Sequence, residues 1–201
     1  VASKTHTATQ LTLLLFAAYL AGDNRALIMS DALRTISAIE RLLADWRTPV
    51  ERAATLLSQA STLTIIARGY LLGAALAGAV AIEETARLQT RAVSGGQFRH
   101  TSIEAVQPGF HACMLIGSDG TRDLMLDMAS ELAGYGGNIV LIGHDLPHDH
   151  GHAIIEVPNA TSPFTPLAQI VPLQLLAYSL AQQRGLDPGH LLRMSKVVVS
   201  E

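Results

Sequence analysis

Short apolar segments rich in β-branched residues alternate with longer helical segments along most of this chain, and that alternation constrains its fold more than any other feature. The predicted strands are 62–67, 112–116, 139–142 and 153–157. The predicted helices around them are 49–59, 72–91, 122–135 and 166–184. Strand–helix–strand units form right-handed crossovers, which produce a parallel sheet with helices on both faces. The predicted fold class is therefore α/β, with a doubly wound parallel sheet.

A helical hairpin is predicted ahead of this sheet. Apolar residues recur at helical spacing in 11–20 and 24–46, and Gly22, Asp23 and Asn24 supply a turn and a cap. We therefore divide the chain into a helical arm, 1–47, and a doubly wound domain, 48–201, that ends in a tail, 186–201. Because the first residue is Val1 rather than Met, we expect the sequence to be part of a longer one.

Composition and charge exclude several classes of protein. Charged residues make up 15% and hydrophobic residues 49% of the chain, so a large core is available and disorder is not expected. The net charge of −3, without a long basic run, argues against nucleic acid as a partner. No uncharged stretch reaches the ~20 apolar residues of a membrane span, and no signal peptide is evident, so a membrane is not expected either. A single cysteine, Cys113, fits a reducing compartment, and we expect a cytoplasmic protein.

Two adjacent glutamates on the predicted helix 72–91 have different neighbours. Glu84 interrupts an apolar line at i, i+4 spacing, whereas Glu83 shares a ridge with Arg87, a solvated partner. The apolar line consists of Leu72, Leu76, Val80 and Leu88. A carboxylate on the core side of a helix is desolvated, which lets it exchange protons near neutral pH. Glu84 is therefore a candidate general base; the alternative is a surface or structurally paired carboxylate.

Lys196 and His100 are further candidates. Only two lysines occur, Lys4 and Lys196, and Lys196 precedes an apolar segment, 197–199. An amine held against apolar surroundings can form a Schiff base with a sugar carbonyl; the alternative is an ordinary surface lysine. His100 follows two glycines in a segment predicted to be irregular, and a loop histidine can act as acid or base, although most do not.

Other chemical motifs are weak. Four of the eight histidines lie in 143–152 without HExxH or CxxC spacing, so we expect no metal site. Glycine-rich nucleotide loops and GxSxG do not occur in the sequence, and no cofactor is expected. Ligands of doubly wound sheets bind beyond the carboxyl ends of the strands. That rule places Arg68, Gly69, Gly117 and Ser118 at the mouth of any such site.

Six segments, in order along the chain, resemble the sugar isomerase (SIS) domain family, and in particular the isomerase half of the glutamine:fructose-6-phosphate amidotransferases. They are VASKT with TQLT at 1–12, ARGY at 67–70, ALAGA through Glu84 at 75–84, QFRH at 97–100, VPLQLLAY at 171–178 and KVVVSE at 196–201. That family carries two SIS domains in tandem. The resemblance implies that 1–47 is the tail end of a preceding SIS domain absent from this chain, and that 48–201 is the second SIS domain with a catalytic tail, 186–201.

The resemblance also implies a role for each candidate residue. Glu84 corresponds to the base that moves a proton between C1 and C2 of the sugar, and Lys196 corresponds to the Schiff-base lysine. His100 corresponds to the ring-opening residue, which in the family reaches the site across a dimer interface. The implied substrate contacts are Val1, Ser3 and the backbone beside Ser195. The implied partners are a sugar-phosphate substrate and a second copy of the chain in a homodimer, with no metal and no cofactor.

The sequence departs from the family at several points. Ala81 stands where the synthase has a second lysine, and Thr101 and Ser102 follow His100 in place of Gly-Pro. A Ser/Thr-rich phosphate loop, which belongs to the family's first domain, and a glutaminase domain are not found in the sequence.

The implied function is a sugar-phosphate isomerase or deaminase that interconverts ketose and aldose phosphates, such as fructose 6-phosphate and glucosamine 6-phosphate, without a glutaminase. One alternative is a non-catalytic sugar-phosphate-binding regulator with the same fold, against which Lys196 argues. Another is a structural half whose helices serve dimerisation.

Overall fold

A five-stranded sheet organises the described part of the chain, which comprises residues 3–148, 152–160 and 163–193 of a computed structural model. Its strands are β1 (Thr62–Ala67), β2 (Gln89–Ser94), β3 (His111–Ile116), β4 (Asn138–Gly143) and β5 (Ala153–Glu156). Their order is β2-β1-β3-β4-β5, and every neighbouring pair is parallel. The chain winds outward from β1 in both directions, so the direction changes between β1 and β3. The predicted doubly wound α/β fold is confirmed.

Helices cover both faces of the sheet. They are α1 (Ser3–Ala21), α2 (Arg25–Ala44), α3 (Arg47–Leu56), α4 (Leu71–Ala86), α5 (Gly95–Thr101), α6 (Arg122–Gly134) and α7 (Thr165–Gln183), with a 3₁₀ turn at Ile103–Ala105. One core lies between the sheet and α3, α4 and α7, and a second lies between the sheet and α5 and α6. Along β1, Leu63 and Ile65 enter the first core and Ile66 the second, as a pleated strand requires. Among the described helices, none is both long enough and apolar enough to cross a membrane.

The predicted helical hairpin is also present. Gly22 at φ 76° ends α1, and the Asn24 side chain caps α2 by accepting hydrogen bonds from the backbone N–H groups of Ala26 and Leu27 at 3.0 and 3.2 Å. Every residue of α1 is described, and only Ala18 is buried. Several large apolar side chains of the hairpin are exposed, among them Leu13, Phe16, Tyr19, Leu20, Leu27 and Leu33. The hairpin therefore presents an extensive apolar surface.

Two sequence predictions in the region 72–101 are wrong. The predicted helix 72–91 ends at Ala86, where Arg87 adopts a left-handed conformation at φ 52°, and residues 89–94 form the edge strand β2. An edge strand is half exposed, and this one is largely polar. The sequence therefore shows no apolar run that would predict a strand at 89–94. The segment predicted to be irregular around His100 is the helix α5, whose cap is Ser94 and whose anchor is the fully buried Phe98.

Gly78 sets the distance between α4 and α7. A methyl group added at Gly78 would collide with Leu173 Cδ1 and lie 3.0 Å from Leu173 Cβ. The α4 face that packs on α7 and the sheet consists mostly of alanine and glycine, so the two helices approach closely. The helix pair therefore depends on the absence of a side chain at this position.

We expect Gly78→Ala to destabilise the protein by about 1–3 kcal/mol, because the new methyl group forces Leu173 out of its site. Gly73→Ala is the matched control on the same helix, since Gly73 is exposed and no described heavy atom lies within 4 Å of its added methyl group. It should stabilise the protein by about 0.5–1 kcal/mol through helix propensity. Urea denaturation measures both, and equal effects of the two substitutions would contradict the packing argument.

Candidate active site

Glu84 lies on the outward side of α4, near the end of the helix. It is half-buried and shares its ridge with Leu76 and Val80, whose side chains are 53% and 51% exposed. The expectation that this apolar ridge faces the core is wrong. The core side of α4 consists of Leu71, Ile82 and small residues, because small residues allow the close approach of α7. Glu84 is thus a carboxylate at the edge of an exposed apolar strip.

A cavity of about 370 Å³ opens beside Glu84. Its lining residues are Glu83, Glu84, Arg87, Leu191, Leu192 and Arg193. The segment 191–193 reaches this position from the far end of the chain, and the Arg87 Nη2 atom donates a 3.4 Å hydrogen bond to the carbonyl of His190. Carboxylates and guanidinium groups therefore share one cavity at the end of α4.

Glu83 has a structural partner of its own. Its Oε1 atom accepts a 3.0 Å hydrogen bond from the backbone N–H of Thr90 and thereby joins the end of α4 to β2. Within the described residues Glu83 forms no ion pair with Arg87, so the predicted partner is not the one observed. Of the two neighbouring carboxylates, Glu84 is the one left available for chemistry in the cavity.

His100 is exposed at the end of α5, on the opposite face of the sheet from α4. Three consecutive residues of α5 have different surroundings: Phe98 is fully buried, Arg99 Nη1 lies 2.5 Å from Glu131 Oε2 on α6, and His100 faces solvent. A firmly anchored short helix thus presents an imidazole outward. The fold of one chain does not bring His100 and Glu84 together, because the sheet separates them.

The other predicted site residues either lie away from the cavity of Glu84 or fall outside the described residues. Ser3 is exposed at the start of α1 and lines a groove between α1, α2 and α7, apart from the cavity of Glu84. Val1, Ser195 and Lys196 lie outside the described residues. The proposed roles of these residues therefore stay predictions.

Asp119 lies at the carboxyl edge of the sheet between β1 and β3, where the sequence predicted the mouth of a ligand site. Asp119 Oδ1 accepts hydrogen bonds from the hydroxyl of Thr121 at 2.6 Å and from its backbone N–H at 2.8 Å. These bonds, with a smaller one from Tyr70, hold the pKa of Asp119 below its usual range. The Oδ2 atom lies beside Gly117, where an added methyl group would be 3.3 Å away.

Sequence reasoning missed Asp119, although an Asp two residues before a Thr at the start of a helix is a recognisable capping pattern. Its charge compensates the start of α6, at Arg122, from within the chain. A phosphate brought to this edge would meet that negative charge. Arg68, which the sequence also placed at this edge, lies beside Gly95 with its Nε atom buried and without a hydrogen-bond partner among the described residues.

Thiol reactivity and metal binding are the last two kinds of chemistry to consider. Burial raises the pKa of Cys113 to about 12, which keeps the thiol protonated and unreactive. Among the residues that the structure describes, no group of three or more His, Cys, Asp or Glu side chains is arranged to hold a metal ion.

The chain is similar over its whole length to part of several isomerizing glutamine–fructose-6-phosphate aminotransferases. Isomerizing glutamine–fructose-6-phosphate aminotransferase from Pyrococcus horikoshii is 29% identical over 204 residues, which cover 100% of this chain and 34% of that protein. No protein-family model matches the sequence. The chain spans about a third of the length of this relative.

Solved structures show the same fold. Glucosamine-6-phosphate deaminase from Thermotoga maritima superposes with a TM-score of 0.75 at 18% identity, over 98% of this chain and 57% of that one. The C-terminal domain of glucosamine-fructose-6-phosphate aminotransferase from Francisella tularensis gives a TM-score of 0.69 at 19% identity, over 82% of this chain and 46% of that one. The chain has the fold of a sugar isomerase (SIS) domain. The resemblance to SIS domains drawn from its six sequence segments is thereby confirmed at the level of the fold.

We expect Asp119→Asn to lower the stability of the SIS domain at neutral pH by about 0.3–1 kcal/mol, because the neutral amide interacts less favourably with the start of α6. Since the pKa of Asp119 is lowered in the folded state, its stabilisation is complete above the unfolded pKa, about 3.9, and is lost as the pH falls through the folded pKa. The two proteins should therefore converge in acid. Urea denaturation across this pH range measures the difference.

Asp127→Asn is the control for this pH series. Asp127 is exposed in the middle of the same helix and has no polar partner among the described residues. A stability loss at Asp127 equal to that at Asp119, or a difference at Asp119 that persists unchanged in acid, would contradict the assignment.

Proposed function

We propose that this chain forms part of an enzyme that interconverts ketose and aldose phosphates, such as fructose 6-phosphate and glucosamine 6-phosphate, by isomerase or deaminase chemistry. The relatedness to an isomerizing aminotransferase supports the class of substrate. The fold shared with a glucosamine-6-phosphate deaminase is compatible with either direction. The substitutions at Ala81 and after His100 favour a reaction simpler than that of the full glutamine-dependent synthase.

The observation that carries this proposal is the cavity at Glu84. Arg193, the last described residue, lines this cavity and lies three positions before Lys196 in the sequence. We assign the amine of Lys196 to this cavity as part of the proposal. The segment 191–193, which lies more than a hundred positions beyond Glu84 in the sequence, lines the same cavity and supports this assignment.

The chemistry follows from these two groups. The amine of Lys196 adds to the C2 carbonyl of the open-chain ketose and expels water, which forms a protonated imine. Ammonia then displaces the lysine amine from this imine, which frees Lys196 and leaves an iminium group at C2. The iminium acidifies the C1–H bond, and Glu84 removes that proton and delivers it to C2, which leaves an aldehyde at C1 and an amine at C2, as in glucosamine 6-phosphate. Deamination is the reverse sequence, in which water hydrolyses the lysine imine in the last step.

His100 would act earlier, on the cyclic sugar. Ring opening needs a proton at the ring oxygen and removal of one from the anomeric hydroxyl, which an imidazole supplies near neutral pH. Because His100 and Glu84 lie on opposite faces of one sheet, we place His100 in the site of a second subunit. The exposed apolar strip at Leu76 and Val80, continuous with Glu84, offers a surface for such a subunit in a homodimer.

Glu84→Gln should reduce conversion of glucosamine 6-phosphate to fructose 6-phosphate and ammonia by about 10²–10⁴-fold, because the proton relay is lost. Lys196→Ala should abolish turnover while glucosamine 6-phosphate still binds. Glu83→Gln, the matched control on the adjacent residue, keeps an oxygen for the N–H of Thr90 and should retain activity. Ammonia release and fructose 6-phosphate formation measure turnover, and circular dichroism verifies folding.

Folded parent protein that turns over neither compound would overturn the proposed reaction. Binding of glucosamine 6-phosphate without turnover would favour the non-catalytic regulator instead. Full activity of Lys196→Ala would make that lysine structural.

The placement of His100 in a partner's site is tested by complementation. We expect Glu84→Gln and His100→Ala to be inactive separately but to recover activity when coexpressed, since each mixed dimer holds one intact site. The unseparated mixture should recover about a quarter of the parent activity, because about half of the dimers are mixed, and mixed dimers purified by tags should recover about half. No recovery in purified mixed dimers would place Glu84 and His100 of one site on the same chain.

A further inference from the structure

A second cavity, of about 630 Å³, lies between the helical arm and the β4–β5 side of the sheet. We name it the histidine cleft. Its basic lining residues are Arg41, Arg52, His144, His148 and His152. Its volume is in the range of small-molecule sites, and it has no residue in common with the cavity of Glu84.

The two guanidinium groups of the cleft are free to bind a ligand. Arg41 on α2 and Arg52 on α3 are exposed, and neither forms a hydrogen bond or ion pair with any residue that the structure describes. They approach the cleft from two successive helices. A guanidinium group presents its donors in a fixed fork that suits phosphate and carboxylate oxygens.

The opposite wall of the cleft, formed by the loop at His144, is held in place by hydrogen bonds to Arg122 and Glu156. Arg122 donates from Nη1 to the carbonyl of His144 at 3.0 Å and from Nη2 to the carbonyl of Asp145 at 2.5 Å. Asp145 has a positive φ of 51°, and its N–H donates to Glu156 Oε1. The loop that presents His144 is therefore organised before any ligand arrives.

The formal charges of the cleft balance when its imidazoles are neutral, since Arg41 and Arg52 face Asp45 and Glu156. Glu156 is already engaged, because it accepts from the backbone N–H groups of Asp145 and Leu146, and its Oε1 atom lies 3.4 Å from His144 Nδ1. Arg41 and Arg52 form no such contacts with the described residues, so their guanidinium groups are the ones left to bind a ligand, and they suit an anion. No group of donors described there is arranged for a metal ion.

We propose that the histidine cleft binds a phosphate-bearing small molecule and thereby joins the helical arm to the sheet. A tetrahedral phosphate has oxygens in several directions, so it can take donors from α2 and α3 on one side and from the His144 loop on the other. A planar carboxylate cannot span the two walls as well. Occupancy would stabilise the arm against the sheet.

Binding of inorganic pyrophosphate to the 201-residue chain tests this proposal. Titration calorimetry in the presence of EDTA should show saturable binding, and the melting temperature should rise with pyrophosphate concentration. Arg41→Ala combined with Arg52→Ala should weaken binding by at least about tenfold, because charge-assisted hydrogen bonds are lost. Both side chains are exposed, and circular dichroism verifies that the variant is folded.

Arg25→Ala is the matched control. It removes the same charge from α2, sixteen positions from Arg41, or about 24 Å along the helix. An equal loss in this variant, unchanged binding in the double variant, or binding that appears only when Zn²⁺ or Ni²⁺ is added would overturn the proposal. Because none of these substitutions touches Glu84 or Lys196, the outcome is independent of the proposed enzymatic function.

Discussion

The central strands of this protein are apolar on both sides, so both faces of the sheet must be covered by helices. β3 is buried at every position, and alternate residues of β1 enter two different cores. Helices α4 and α7 cover one face, and α5 and α6 cover the other. This requirement separates Glu84 from His100 within one chain, and it is the structural reason why a site using both would need a second subunit.

The close contact between α4 and α7 decides where large side chains can go. Gly78 admits Leu173, and the neighbouring alanines keep the two helices near each other. Leu76 and Val80 are consequently left on the outer side with Glu84. The same packing that stabilises the core therefore creates an apolar strip next to a carboxylate, at the end of the helix where the C-terminal segment returns.

Charge is distributed unevenly around the sheet. At the edge between β1 and β3, the Asp119 carboxylate accepts a hydrogen bond from the backbone N–H of Thr121, just before α6. In the histidine cleft, on the β4–β5 side, Arg41 and Arg52 have no partner among the described residues. The carboxylate thus lies where doubly wound sheets often bind ligands, and the exposed arginines without a described partner lie on the flank of the sheet.

The amino-acid sequence by itself determined the fold class, the strands β1, β3, β4 and β5, and the hairpin capped by Asn24, because apolar strands and capped helices carry local apolar and polar patterns. It also contained the segments that indicate the SIS fold. Only the tertiary structure decided that 89–94 is an edge strand, that the apolar ridge of α4 faces outward, and that Asp119 occupies the mouth. These features depend on contacts between segments distant along the chain, and local periodicity contains no information about such contacts.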